Sequence, residues 1–365
     1  MSQAENVLEP LLGVVTTKYW HQLDDGRVQC DLCPRFCKLH EGQRGLCFVR
    51  ANQDNQLVLT TWGRSSGFAI DPIEKKPLNH FLPGTPVLSF GTAGCNLACK
   101  FCQNWDISKS REMDSLMVLA SPEKIVHKAK ELHCRSVAYT YNDPVIFHEY
   151  AIDVAQACRE QGIKNVAVTA GYVCPEPREE FYQNMDAVNV DLKAFTERFY
   201  HKITGSHLQS VLETIQYIHD ETDVWMELTT LLIPGENDSE AEINEMTQWV
   251  VENLGVDVPM HFSVFHPDWK MMDRASTPPD IVKRARKIAL HNGIHYAYVG
   301  NMHDKEGDST WCHRCGALLI ERDWYELSHY LITSDGQCPQ CHTSCAGFFE
   351  EKPGVWGARR VTISL

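Results

Sequence analysis

Between Val87 and Val299 short apolar runs alternate with amphipathic stretches, and this rhythm constrains the fold more than any other feature of the chain. Val87–Gly91, Val137–Thr140, Asn165–Thr169, Ala187–Leu192, Val224–Ile233, Met260–Phe265 and Ile294–Val299 read as strands, short and rich in apolar residues. Helices are expected between them. Ser121-Pro122 caps one with Ile125, Ala129 and Leu132 on a single face. Others run from Pro144 to Arg159, from about Arg178, and from about His207 to His219. Ser239 and Glu242 form a capping box for a helix reaching about Asn253, and Pro279–His291 supplies the last. Strands alternating with helices give βαβ units, a parallel sheet and right-handed crossovers. Six units and a terminal strand fall short of the eight that close a barrel. The fold class is therefore α/β, a partial, open (β/α)6 TIM-like barrel.

In such barrels chemistry sits at the C-terminal ends of the strands, and the polar residues of this chain fall there. The first strand runs directly into Gly94-Cys95-Asn96-Leu97-Ala98-Cys99-Lys100-Phe101-Cys102. Asn142 and Asp143 follow the second strand, Thr169 and Gly171 the third, Asp191 and Lys193 the fourth, Pro234–Asp238 the fifth and His266 the sixth. Cysteine thiolates hold iron–sulfur clusters, usually four to a [4Fe–4S] cube. Cys95, Cys99 and Cys102 supply three, which leaves one iron open to another ligand, as an open position distinguishes a catalytic metal from a structural one. The C-x3-C-x2-C spacing, with Phe101 before the last cysteine, is similar to the cluster loop of enzymes that cleave S-adenosylmethionine (SAM) by radical chemistry. A zinc knuckle is the plain alternative.

Two further cysteine sets flank the core. Cys30, Cys33, Cys37 and Cys47 lie within eighteen residues and can form one four-thiolate site. Zinc and a second iron–sulfur cluster both suit them, and spacing alone does not choose. Cys312-x2-Cys315 and Cys338-x2-Cys341 have the spacing of a four-cysteine zinc ribbon, with Ala317–Gln337 long enough for a hairpin and Cys345 left over. A rubredoxin-like iron site has the same ligand set. The expected division is a Cys-rich N-terminal region and linker over 1–84, a core over 85–300 and a zinc-ribbon-like domain over 301–365. Val7–Tyr19 offers one amphipathic stretch, and Gln56–Trp62 reads as a strand. Gly63–Gly84, rich in Gly, Pro and Lys, reads as a surface linker with solvated charges, the alternative being Lys75 or His80 at the rim of the site.

Acidic residues outnumber basic ones, for a net charge of −14. That balance argues against nucleic-acid binding, which needs a basic face. Met1–Glu5 has neither the basic nor the apolar part of a signal peptide, and no apolar run approaches a membrane span. The expectation is a cytoplasmic protein, and fifteen cysteines in that compartment mean metal rather than disulfides.

The motifs CDLCPRFC, GQRGLC, DPIEKKPLNHFLPG, GCNLACKFCQNW, AYTYNDP, VNVDLKAF, LLIPGENDS, HFSVFHPD and YVGN, with the two C-terminal knuckles, resemble the radical SAM protein of the AmmeMemoRadiSam system. The core alone is similar to pyruvate formate-lyase activating enzymes. The resemblance implies a [4Fe–4S] cluster on Cys95, Cys99 and Cys102, bound SAM, and an electron donor such as flavodoxin or ferredoxin. It also implies association with Memo-like and AMMECR1-like proteins. Asn142 and Asp143 match the segment that binds the SAM amine, although Asp143 stands where the family usually has glutamate. Asp191 and Lys193 match a SAM-contacting pair, and His266 a histidine near the adenosine. Thr169 and Gly171 are the further candidates for SAM contact. The implied function is reductive cleavage of SAM to a 5′-deoxyadenosyl radical that abstracts hydrogen from a small molecule or peptide. The alternatives are an activating enzyme for a glycyl-radical partner and a non-enzymatic iron–sulfur or zinc scaffold for electron transfer.

Overall fold

The structure, a computed structural model, describes residues 13–109 and 118–365. Its centre is a run of seven parallel strands in unbroken chain order: β1 (Pro86–Gly91), β2 (Ser136–Tyr139), β3 (Lys164–Thr169), β4 (Ala187–Asp191), β5 (Trp225–Leu232), β6 (Met260–Val264) and β7 (Ala297–Gly300). Six helices alternate with them: α1 (Pro122–Glu131), α2 (His148–Glu160), α3 (Pro175–Tyr182), α4 (Leu208–Glu221), α5 (Glu240–Leu254) and α6 (Pro279–His291). The strand order never reverses, so right-handed crossovers set all six helices on one face of the sheet. Strands such as β1 and β2, buried along nearly their whole length, carry the continuous apolar character of a parallel sheet covered on both faces.

The local signals act as expected, with instructive exceptions. Ser121 accepts a hydrogen bond from the Lys124 amide and Ser239 one from the Glu242 amide. The reciprocal half of the second capping box is absent, because the Glu242 carboxylate accepts from the Phe195 amide at 2.7 Å instead. Pro144 opens a short 3-10 turn, Pro144–Phe147, before α2 begins. Of the stretch Val7–Tyr19, residues 7–12 lie outside the described residues; Gly13–Thr16 is a strand paired with Gln56–Trp62.

The surface linker expected over Gly63–Gly84 is overturned. Arg64–Pro72 is a nine-residue strand, antiparallel to β1 and paired on its other side with Val361–Thr362. Asp71, fully buried, pairs with the buried Lys76 at 2.7 Å and the half-buried Lys75 at 3.0 Å. Beyond it, Ile73, Leu78, Phe81 and Leu82 form a core with Val87, Ala138, Val166 and Ala187. Val87 and Ala187 lie at or near the N-terminal ends of β1 and β4, so residues 73–82 form a strap that plugs the end of the sheet opposite the cysteine loop.

Val28, Cys30, Leu32, Cys33 and Cys47 share one apolar core with the strands and helices that follow. The C-terminal segment folds as a three-stranded antiparallel sheet, Thr310–Trp311, Leu318–Asp323 and Glu326–Tyr330, with the expected hairpin between the knuckles. Its small core takes in Tyr296 and Tyr298 beside and within β7. Among the described residues no helix is long and apolar enough to cross a membrane.

Candidate active site and metal centres

The C-terminal ends of the strands, the strap and the C-terminal hairpin enclose a cavity of about 390 Å3. Cys95, Cys99 and Cys102 line it, as do Asn142, Asp143, Thr169, Asp191 and Lys193. Residues that the sequence spreads over about a hundred positions thus meet at one wall. Burial pushes the Cys95 thiol up and the Cys99 thiol to about 12, with Lys109 opposing the first and Lys193 the second. The Cys95 and Cys99 thiols are thus poor solitary anions, whereas a cationic metal group would hold them as thiolates. The donor set therefore fits the three-thiolate cluster.

The polar partners are arranged more tightly than the sequence implies. The Asn142 amide staples the loop: its Nδ2 donates to the Gly94 carbonyl at 2.8 Å and its Oδ1 accepts from the Thr92 amide at 3.3 Å. Asp143 accepts from the Val145 and Ala170 amides and the Thr169 hydroxyl, each at 3.1 Å. A carboxylate offers about four acceptor positions, so about one is left for a ligand. Burial pushes the Asp143 carboxyl up to about 6 against these three donors. Lys193 donates to Asp191 at 2.7 Å. Burial works to lower its pKa, but Asp191 and the Cys99 thiol outweigh it, and the ammonium stays charged beside the cysteines.

Two expected contacts lie elsewhere. His266 is exposed, in the loop after β6, and does not line the cavity. Gly171 has φ +65°, and a side chain there would meet Val190 and Thr214, not the cavity. The inward histidine is His261, two positions below Ser263 on β6. Its Nε2 meets the Glu227 carboxylate at 2.6 Å. Glu227 also accepts from the Asn79 and His80 amides at 3.0 and 2.8 Å. Burial alone would raise its pKa; the hydrogen bond and charge of His261 overcome that and hold it at about 2. Glu227 and Thr229, polar at period two within an apolar strand, were the signal for this wall. Lys75 lines the cavity; His80 does not, but lies behind it, in hydrogen-bond contact with the Ala346 carbonyl and the Tyr298 hydroxyl.

The C-terminal segment adds Asp308, Arg322, Trp324 and Tyr325 to the wall. Arg322 is 1% exposed and donates to the Asn79 carbonyl at 2.6 Å and the Thr310 hydroxyl at 2.7 Å. Burial pushes both Glu74 and Asp308 up to about 7 and Lys76 down to about 8. Strongly perturbed groups gathered in one cavity mark a functional site.

The sulfurs of Cys312, Cys315, Cys338 and Cys341 lie within 4.8 Å of one another, with Cys312–Cys341 at 3.5 Å and Cys315–Cys338 at 3.6 Å. Four thiolates around tetrahedral zinc stand roughly 3.8 Å apart, given Zn–S bonds of about 2.3 Å. Cys345 stays outside the set, its sulfur 3.8 Å from His80 Nδ1. Among the described residues no other group of three or more ligands is so close.

The parallel fold with a three-cysteine loop over its strand ends is that of a radical SAM protein. Residues 90–246 match the model of the Radical SAM superfamily, and the chain belongs to that superfamily. Within it the chain falls in one family with an uncharacterized protein of Methanocaldococcus jannaschii, 39% identical over 323 residues that cover 88% of this chain and 95% of the relative. The pyruvate formate-lyase-activating enzyme of Clostridium pasteurianum is 26% identical over 168 residues, covering 44% of this chain and 67% of that enzyme. A radical SAM methyltransferase from Sphaerobacter thermophilus superposes with a TM-score of 0.49 at 14% identity, covering 80% of this chain and 77% of that one.

Proposed function

We propose that this chain is a radical SAM enzyme acting on a small molecule or short peptide within a partial (β/α)6 barrel. The carrying observation is that Cys95, Cys99 and Cys102 face the same cavity as Asp143, Asp191 and Lys193. The bound cluster and SAM would supply one electron and a 5′-deoxyadenosyl radical for hydrogen abstraction. The chain's own groups do the holding. Asp143 keeps one acceptor position for the methionyl amine. Lys193 stands charged beside the loop to receive the carboxylate, and Asp191 fixes Lys193 and can take a ribose hydroxyl. Cys312, Cys315, Cys338 and Cys341 suit one structural zinc, with sulfur spacing as the support. The division at 84/85 and 300/301 follows the three cysteine sets. An electron donor of the flavodoxin or ferredoxin kind belongs to this reading, as do Memo-like and AMMECR1-like partners through the sequence motifs.

The test is release of 5′-deoxyadenosine. Anaerobically reconstituted protein with SAM and a strong reductant should form it, and Cys99→Ala should not; equal release from both would refute the reading. Activation of a glycyl-radical partner is the second reading, favoured by likeness to an enzyme named as an activator. A glycyl-radical signal in a co-purified partner would establish it over the first.

A further inference from the structure

The N-terminal cysteines differ from the C-terminal set in the same respect as the cluster loop does. Cys30, Cys33 and Cys47 are buried and Cys37 is half-buried. A side chain on Gly45 would sit 3.7 Å from both the Cys37 and the Cys47 sulfur, so those two are at most twice that apart. Yet neither this set nor Cys95, Cys99 and Cys102 gathers three sulfurs within 4.8 Å, as the C-terminal set does. A single zinc draws its thiolates to roughly 3.8 Å. A cube, with four irons between its ligands, holds them wider.

The N-terminal unit rests directly on the cluster loop. The Cys47 carbonyl oxygen lies 1.9 Å from where a Cβ on Gly94 would stand, so only glycine lets the two backbones touch. Gly94 immediately precedes Cys95. Arg35 binds the Asn96 carbonyl at 2.8 Å, and the Cys174 amide binds the Leu32 carbonyl at 3.0 Å. On the outer side, Phe36 and Leu46 are 47% and 40% exposed, each next to a cysteine of the set. Phe36 has φ 44° and Phe48 φ 72°, left-handed conformations that side chains rarely adopt and that functional sites retain. Near them in the chain Lys38, His40 and Arg44 are exposed. Glu41, also exposed, is the one acidic residue from Arg35 to Phe48 and accepts from the Asp54 and Asn55 amides, both at 3.0 Å. A basic rim around exposed apolar residues, on a chain of net charge −14, is complementary to an acidic partner.

We infer that Cys30, Cys33, Cys37 and Cys47 hold a second iron–sulfur cluster, and that Phe36, Leu46 and their basic rim dock an acidic one-electron carrier protein that reduces it. This rests on the radical SAM reading only for where the electron goes next. The reduced carrier loses one electron, the N-terminal cluster gains it and passes it across the Cys47–Gly94 contact to the loop cluster, and no bond is made or broken in the relay.

The experiment has two arms. In the first, a Cys95→Ala/Cys99→Ala/Cys102→Ala chain should keep about four irons and four sulfides, with an electron paramagnetic resonance signal that SAM does not change. Zinc in their place, or no metal, would overturn the assignment. Should that variant not fold, the wild type answers: about eight irons, of which SAM perturbs half, against about four that all respond. In the converse Cys33→Ser/Cys37→Ser chain the remaining signal should shift with SAM. No shift there, with the first arm intact, would sink the radical SAM reading and leave the second cluster standing. In the second arm, the Phe36→Glu/Leu46→Glu chain should be reduced by photoreduced flavodoxin about tenfold more slowly than wild type, with reduction by dithionite within about twofold. Equal slowing with both reductants, or with neither, would overturn the docking surface.

Discussion

Gly94→Ala puts the contact between the N-terminal unit and the cluster loop to a quantitative test. Gly94 has φ +93°, and its added Cβ would lie 1.9 Å from the Cys47 carbonyl oxygen and 3.1 Å from its carbon. Two costs follow. The left-handed backbone costs an alanine about 1–2 kcal/mol. Relieving the overlap means moving two backbones apart by more than an ångström, and overpacking of this kind costs about 1–3 kcal/mol. The total is about 2–5 kcal/mol. Gly162→Ala is the matched control: φ is +71°, and nothing lies within 4 Å of the added carbon, so only the first cost applies.

Anaerobic thermal unfolding of the metal-loaded chains separates the two variants. At roughly 2–4 °C per kcal/mol for chains of this order of size, Gly162→Ala should lower Tm by a few degrees and Gly94→Ala by on the order of 10 °C. Gly94→Ala should also slow flavodoxin-driven, but not dithionite-driven, reduction of the loop cluster, because the relay crosses the contact it displaces. Indistinguishable Tm values for the two variants would mean that the N-terminal unit separates from the loop at no cost, and the reasoning from backbone contact would fail.

Other outcomes are as specific. Arg322→Met should destabilise the chain by about 3–5 kcal/mol, since it leaves the buried Glu74 carboxyl without its cation, 3.8 Å away, and the Asn79 carbonyl without a donor; a denaturant midpoint near wild type would contradict the clamp. Burial lowers the His80 pKa to about 4, below the 6.5 of an unfolded histidine, so its contribution to stability is present above pH 6.5 and lost as pH falls toward 4. Between pH 7 and 5.5 that loss is about 1 kcal/mol, and in His80→Gln the slope of stability with pH should flatten by that amount. Cys338→Ser should remove about one zinc per chain while iron content stays unchanged; loss of iron instead would make the ribbon an iron site.

The barrel strands and their polar ends were legible because each rests on local pattern: apolar runs of strand length, a capping serine, a proline at the first helical position. The cysteine sets were legible because ligand spacing is itself local. The strap was not. Asp71, Glu74, Lys75 and Lys76 look like a solvated loop, and nothing nearby in the chain announces that Arg322, 243 residues beyond Asn79, will meet Glu74 and Asn79. His266 follows the strand, where site residues gather, and that position alone points to it. The period-two alternation Glu227–Thr229 on β5, in register with His261 on β6, points inward all the same. Asn142 and Asp143 were found, but their commitment to the Gly94 carbonyl and the Ala170 amide depends on how neighbouring strands end, which one strand's sequence does not state.

The walls of the cavity bear on what it can admit. At about 390 Å3 it is near the lower bound of small-molecule sites, roughly 300–1,000 Å3, and SAM would claim the side facing Cys99 and Lys193. The remainder is bounded by the strap below and by Trp324 and Tyr325 at the tip of the C-terminal hairpin. Several of the polar groups offered there to a second ligand are buried ones. Among them, one oxygen of Glu74, Arg322 Nε and the Thr229 hydroxyl accept or donate no hydrogen bond within the described residues. Leaving buried polar atoms unpaired costs about 1–3 kcal/mol each, so this wall is built for a ligand with both donors and acceptors. A polypeptide segment presented by a folded partner would have to displace the hairpin, and with it the Arg322 clamp to Asn79. That cost favours a compact polar substrate, and it would give the four-thiolate ribbon a task in the chemistry: a metal held there would keep the hairpin rigid enough to be a wall.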